Sequence, residues 1–328
     1  MALLVVVVAV ALAFDFTNGF HDSANAIATS ISTRALSPRW ALLMAAALNM
    51  VGAFLSQNVA KTVGKGIVQL PADSQTVVLA ALVGAIAWNL LTWYLGLPSS
   101  SSHSLIGGLI GATLVAVGTS GVEWSGVWHK VILPMVTSPA IGLLGAFVLM
   151  NLLLLLVFRW APRPVNRTFR ILQPFSAGAV ALAHGMNDAQ KTMGIIWLAL
   201  ITSGHLSDTA PIPDWVIFTA AGSIALGTYF GGWRIIRTLG TKVIHLDPIH
   251  GFAAETTSAA VIWIASHLGY PISTTQTITA SIMGSGATGG LSAVKWGVAG
   301  NIVWAWILTI PAAGLVAAGA YFLIHLVS

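Results

Sequence analysis

"ALLVVVVAVALAFDFTNGFHDSANAIATSIS", Ala2 to Ser32, is the stretch on which the fold turns. Residues 2–14 carry no polar side chain, then Asp15, Asn18, His21, Asp22 and Asn25 crowd together, and the apolar pattern resumes at once. An ionisable residue at bilayer depth costs at least a few kcal/mol and persists where it faces a cavity or a partner. As a helix, residues 2–33 would be about 48 Å long against about 30 Å of hydrocarbon. The excess length and the polar interruption together predict a broken helix here.

The rest of the chain sets the medium. Of 328 residues, 56% are hydrophobic and only 7% charged, and the mean hydropathy is +0.87, whereas about a quarter of the residues of a soluble domain are charged. The chain therefore reads as an all-α polytopic membrane protein. A net charge of +5 does not point to nucleic acid, because the basic residues lie in short loops between apolar segments, where they set orientation. Cysteine is absent, which removes disulfides, thiolate zinc sites and thiol nucleophiles. The N-terminus lacks a basic n-region and a small-residue cleavage site, so a retained helix is expected over a signal peptide.

Apolar segments fall near residues 2–20, 40–60, 76–96, 103–119, 131–158, 171–202, 214–232, 251–268, 274–290 and 297–325. The count is ten, or about 10–12 with breaks. The fourth and ninth segments are short and read as re-entrant half-helices. Alternating sides collects Arg34, Arg39, Arg159, Arg163, Arg167, Arg170, Arg234, Arg237, Lys242 and Lys295 on one face of the membrane, opposite Lys61, Lys65 and Lys130. The positive-inside rule makes the first face cytoplasmic and puts both termini outside. Trp40, Trp160, Trp215, Trp233 and Trp296 sit at segment ends as interfacial anchors.

The two halves repeat. "NGFHDSAN" (residues 18–25) aligns with "HGMNDAQK" (184–191), placing Asp188 166 positions after Asp22. "GLPSSSSH" (96–103) aligns with "GYPISTTQ" (269–276), placing Pro271 173 positions after Pro98. Trp40 and Gly52 match Trp215 and Gly227. An odd number of crossings per half forces the second half to enter from the opposite side. The expected organisation is a first repeat over 1–158, a cytoplasmic linker over 159–170 and a second, inverted repeat over 171–328. Such folds hold their cargo near the midplane, at the repeat interface.

Asp15, Asn18, Asp22 and Asn25 share one helix face, and Ala181, His184, Asp188 and Lys191 form the matching face. A carboxylate flanked by amides suits a hard cation or a proton, so Asp22, Asp188, Asn18 and Asn187 are candidate coupling residues and Asp22 and Asp188 candidate metal ligands. The alternative is a polar helix–helix contact. In the proline motifs, Ser100, Ser101, Ser102, Ser273, Thr274 and Thr275 supply hydroxyls beside free N–H groups at helix starts, which suits an anion. N-capping alone is the other reading. Lys191 stands where Asn25 stands in the first half, so its ammonium is expected to replace one coupling cation; a Lys191–Asp188 structural pair is compatible with this. Glu255 and Asp15 remain open between a proton relay and a structural role. His21, His103 and His184 lie in the motifs and could shuttle protons.

With these motifs in view, the sequence resembles the inorganic phosphate transporter (PiT) family, in its bacterial low-affinity branch. "NGFHDSANAIAT" and "HGMNDAQKTMG" resemble its two signatures, and "GLPSSSSHS" and "GYPISTTQT" its paired proline motifs. The resemblance spans nearly the whole chain. It implies a symporter, not an enzyme, that needs no cofactor and carries inorganic phosphate with a coupling cation. Asp22, Asn25 and Asp188 would line the cation and phosphate region, and the Ser/Thr tips would cradle the anion. The second signature departs from the sodium-coupled pattern at Lys191, which resembles the proton-coupled branch that carries neutral metal–hydrogenphosphate complexes, with Na⁺ the less favoured ion. Gln276 replaces the family's second histidine.

Phosphate, the coupling cation and the bilayer are thus the expected partners, with a homodimer left open. Sulfate is the nearest alternative cargo; lacking a proton at neutral pH, it would meet the carboxylates as repulsion. An intramembrane hydrolase is disfavoured by the absence of a G-x-S-x-G elbow and by the pairing of the polar motifs. Carboxylates at the constriction disfavour an anion channel.

Overall fold

The computed structural model describes residues 1–327. Its helices are α1 Ala2–Ser32, α2 Pro38–Ala53, α3 Asn58–Lys65, α4 Gln75–Leu95, α5 Ser101–Ala116, α6 Trp124–Gly126, α7 Leu133–Val157, α8 Pro162–Thr202, α9 Asp214–Phe230, α10 Trp233–Arg237, α11 Pro248–His267, α12 Thr274–Ala287 and α13 Trp296–Val327. A π-helical turn over Val127–Ile132 joins α6 to α7, and another over Thr238–Lys242 extends α10. Outside the helices, an isolated antiparallel bridge pairs Val68 with Val122.

All ten expected apolar segments contain a helix. Four helical stretches are long and apolar enough to cross a membrane alone: α1, the continuous Trp124–Val157 stretch, α4 and α13. The pairs α2/α3 and α9/α10 are bent by 71° and 59°. Helices α8 and α11 are long enough but dilute their apolar residues with buried Gln173, His184, Asp188, Lys191 and Glu255.

One expectation is overturned. The first segment is an unbroken 31-residue helix, not a broken one. It holds no proline, and Asp22, Asn25, Thr29 and Ser30 meet side chains of neighbouring helices, so these polar groups take no bond from the backbone ladder. The breaks fall in the second helix of each half instead, at Phe54–Gln57 and at Gly231–Gly232. Pro162 opens α8, so most of the stretch expected as a linker over 159–170 is the first turns of that helix.

Glycines set the closest crossings, and they do so in matched pairs. A Cβ on Gly52 of α2 would lie 2.1 Å from the Leu182 carbonyl of α8, and one on Gly227 of α9 would lie 2.2 Å from the Phe16 carbonyl of α1. Likewise Gly185 of α8 abuts the Asn49 carbonyl, and Gly19 of α1 abuts that of Ile224. Gly111 of α5 abuts Gly314 of α13, and Gly284 of α12 abuts Leu143 of α7. In each of these crossings the two helices come from different halves, as small residues at membrane-helix crossings allow.

Polarity is inside out relative to a soluble protein. Leu155, Leu156, Phe175 and Leu315 are exposed, whereas Asp22, Asp188, Lys191 and Glu255 are buried. Hydrocarbon offers no hydrogen bonds, so polar groups turn toward one another.

The loops gather at two ends. At one, the Val68–Val122 bridge, the Asp73 N–H to Thr202 carbonyl bond and the contact of Lys65 Nζ with the Asp208 carbonyl lie together. At the other, Thr238 donates to the Gly96 carbonyl (2.8 Å), and the Lys295 N–H to that of Val243 (3.0 Å). From a meeting point in the interior, α5 runs to the first end and α12 to the second.

Candidate functional site at two facing helix tips

The two proline motifs build the same structure twice. Helix α4 ends at Gly96 with φ +67°, and α11 is followed by Gly269 with φ +75°. This left-handed conformation favours glycine, which has no Cβ to clash. In both cases the next N–H folds back on the helix, from Leu97 to the Thr92 carbonyl (2.9 Å) and from Tyr270 to that of Ala265 (2.9 Å). Pro98 and Pro271 then hold the chain extended. Ser100 Oγ accepts the His103 N–H (3.1 Å) and Ser273 Oγ that of Gln276 (3.2 Å), starting α5 and α12. These two serines are N-caps, and their hydroxyls are engaged along the helix. The N–H groups of Ser101, Ser102, Thr274 and Thr275 precede the first intrahelical bond and lie at the positive helix ends. The tips meet: Ser102 Oγ donates to the Ile272 carbonyl (3.1 Å), and His103 Nδ1 faces Gln276 Nε2 at 3.3 Å.

Helices α1 and α8 bring their polar faces to these tips. Asp22 accepts from Ser101 of α5 (2.6 Å) and from Thr275 of α12 (3.2 Å), so one carboxylate spans both. Asn25 Nδ2 donates to Thr275 (2.9 Å) and Thr274 (3.2 Å) of the opposite half. Lys191, at the matching position of α8, donates to Ser102, again in the opposite half, to Asp188 (2.5 Å) and to the Ile272 carbonyl (3.1 Å). Thr274 donates to Asp188 at 3.4 Å. His21 Nδ1 lies 2.6 Å from Asp22, and His184 Nε2 lies 3.1 Å from Asp188. Ligand atoms of Asp22, His184 and Asp188 all lie within 4.8 Å of one another, a donor set suited to a borderline or hard cation.

The remaining predicted residues lie around this centre. Asn187 is turned away, donating to Ser266 (2.8 Å) and to the Tyr270 carbonyl (3.1 Å) behind the second tip. Asn18 is buried, and neither of its amide atoms has a protein partner. Glu255 stands apart, two turns along α1 from Asp22, where Thr29, Ser30 (2.8 Å), Gln173 (3.3 Å) and Ser176 (2.5 Å) all donate to it.

Sequence reasoning missed the residues that hold the bent helices. Gln190 Oε1 accepts the N–H groups of Val59 (2.8 Å) and Ala60 (3.2 Å) at the start of α3, and Ser23 Oγ accepts that of Gly232 (2.7 Å) just before α10. Both lie inside the two signatures, next to the site residues, and their positions in the motif were the only available signal. The Asn49–Thr228 bond (2.8 Å) between α2 and α9 carried no signal in either motif.

The comparisons agree with this architecture. A model described as "Phosphate transporter family" matches residues 18–317. A protein of Rhizobium meliloti named "Probable low-affinity inorganic phosphate transporter" is 50% identical over 99% of this chain and 98% of its own length. Proteins of the same name from Bacillus subtilis (43% identical, 100% and 98% covered) and Mycobacterium bovis (53%, 99% and 78%) are similar throughout. A solved structure titled "The sodium-dependent phosphate transporter" superposes with a TM-score of 0.92 at 27% identity, covering 100% of both chains.

Proposed function

Given that this chain belongs to the phosphate transporter family, we propose that it is a secondary active symporter. It moves inorganic phosphate with a coupling cation between the tips of α5 and α12. The observation that carries this reading is the shared carboxylate: Asp22 accepts hydroxyls from both tips at once, so any movement of one half against the other must exchange partners at the cargo site itself.

Residues 1–158 and 171–328 act as inverted repeats joined through 159–170. Supporting this, equivalent residues do equivalent things across the interface. Asn25 reaches the second tip and Lys191 the first, and the glycine crossings are exchanged between halves in the same way. The arginine-rich end faces the cytoplasm by the positive-inside rule, which places both termini outside.

Phosphate takes the hydroxyls of Ser101, Ser102, Thr274 and Thr275 and the free N–H groups beside them, with Asn25 adjacent. Ser100 and Ser273 hold the tips in shape. Phosphate at neutral pH keeps a proton that it can donate to Asp22 or Asp188; sulfate has none to give, and this favours phosphate. The cation that accompanies the anion is a proton, or a divalent metal moving as a neutral hydrogenphosphate complex beside Asp22, His184 and Asp188. Lys191 already neutralises Asp188, so one of the two positions that a symmetric site would fill with a mobile cation holds a tethered one.

The test is uptake of labelled phosphate into proteoliposomes under a pH gradient or a Na⁺ gradient, each with and without Mg²⁺. The pH gradient should drive uptake without Na⁺; uptake driven by Na⁺ alone would overturn the role given to Lys191. Asp22→Asn should lose at least about tenfold in rate, since a hydrogen bond to a charged group contributes about 1.5–3 kcal/mol. It should still elute as a monodisperse species, because the hydroxyls around position 22 can rotate to meet an amide. Wild-type uptake by this variant would remove Asp22 from the site.

A further inference from the structure

Two turns before Asp22 on α1, Asp15 is fully buried, and neither carboxylate oxygen has a protein hydrogen-bond partner. Asn18, one turn on along the same face, has none for its amide oxygen or nitrogen. From α8, the Thr192 hydroxyl lies beside Asp15 without reaching hydrogen-bond geometry, and it is likewise buried and unpartnered. Five buried polar atoms on two neighbouring helices thus have no hydrogen-bond partner among the described residues. Buried polar groups of this kind are rare and call for a specific occupant.

The nearby charges are all committed elsewhere. Asp188 and Lys191 are the ionisable groups of α8 that act on Asp15. A lysine ammonium has three N–H bonds, and those of Lys191 go to Asp188, Ser102 and the Ile272 carbonyl. His184 serves Asp188 and Asn49, and His21 serves Asp22 and Thr92. Helix α4 carries Tyr94 alone among titratable residues, and it is exposed. Helix α9 carries Asp214 and Tyr229 near its two ends, whereas it meets this part of α1 through Ser223, which donates to the Leu12 carbonyl, and through Gly227, which abuts that of Phe16. Glu255, by contrast, receives four side-chain donors. An ionised carboxylate without a partner is not tolerated in a dry interior.

We infer that Asp15, Asn18 and Thr192 form a binding site for a single positive charge, separate from the phosphate cradle. The occupant is a proton on the carboxylate or a Na⁺ ion among the Asp15, Asn18 and Thr192 oxygens. The site has no counterpart in the second half, where Ala181 stands at the matching position, so the molecule holds one copy of it. This inference rests on the symport reading above and names where its coupling ion sits.

The test uses the purified full chain, Asp15→Asn and Thr192→Val in proteoliposomes. Concentrative phosphate uptake is measured under a pH gradient alone and under a Na⁺ gradient alone, and exchange of labelled for unlabelled phosphate with no gradient. Whichever gradient drives the wild type, Asp15→Asn should accumulate at least about tenfold less phosphate under it, while exchange stays above protein-free liposomes. If the pH gradient is the driver, the occupant is a proton. If it is Na⁺, Thr192→Val should raise the Na⁺ concentration for half-maximal uptake several-fold, and an unchanged value overturns the site. Wild-type accumulation by Asp15→Asn overturns it, as does loss of exchange in that variant, which would place Asp15 in the phosphate cradle or the fold. A wild type that exchanges phosphate but responds to neither gradient overturns it too. A wild type without exchange instead removes the phosphate symport reading.

Discussion

At position 25 an amide reaches across the molecule to two hydroxyls, and at the matching position 191 an ammonium reaches across to one. This difference of one side chain sets the charge of the site. Lys191 shares a buried centre with Asp188 at 2.5 Å, and a buried ion pair broken at one partner costs about 3–5 kcal/mol. Replacing the ammonium by the residue of the first half gives a direct prediction. Lys191→Asn should lose Na⁺-independent phosphate uptake and acquire stimulation by Na⁺, as an external cation takes the position beside Asp188; the measurement is uptake rate against Na⁺ concentration. The spacing of residues 15, 18, 22 and 25 made a shared helix face legible in the sequence, because the helical period alone fixes which side chains align. Which hydroxyl each would meet was not legible. Ser100 and Ser101 are adjacent in the same motif, yet the first caps its own helix and the second meets Asp22, a division made by the turn into α5.

Among the elements, the glycines decide how near the helices come. Gly222 and Gly227 lie on the same helix, α9, and face opposite fates. A Cβ at position 222 meets nothing within 4 Å, whereas at 227 it lies 2.2 Å from the Phe16 carbonyl. Gly227→Ala should therefore lower the thermal unfolding midpoint in detergent, since overpacking costs typically about 1–3 kcal/mol. Gly222→Ala should raise it or leave it unchanged, because alanine is favoured over glycine within a helix by about 0.8–1 kcal/mol. The short helices α5 and α12 were legible in advance, since glycine and proline punctuate them in the sequence. The bends were misplaced onto α1, because polarity within an apolar run looks the same whether the backbone breaks or neighbouring helices supply partners. At the true bends, Gln190 and Ser23 satisfy the freed N–H groups from another helix, and no local pattern announces a partner so far along the chain.

For the whole molecule, the inverted arrangement proposed above requires that equivalent loops lie on opposite faces of the membrane. Ser37, between α1 and α2, and Ser207, between α8 and α9, are both exposed, and the chain has no native cysteine to interfere. In intact cells, Ser207→Cys should react with a membrane-impermeant maleimide and Ser37→Cys only after permeabilisation; labelling of both from the same side would refute the inversion. The sequence by itself determined the medium, the helical class and the pairing of the two polar motifs, because each is written in composition, period or spacing along one chain. Only the tertiary structure decided that α1 stays whole, that each half packs into the other, and that Asp15 is left without a partner while Glu255 has four. Those outcomes depend on which side chains meet across distances of tens to hundreds of residues, and hydrogen bonding in a medium without water makes each such meeting, or its absence, decisive.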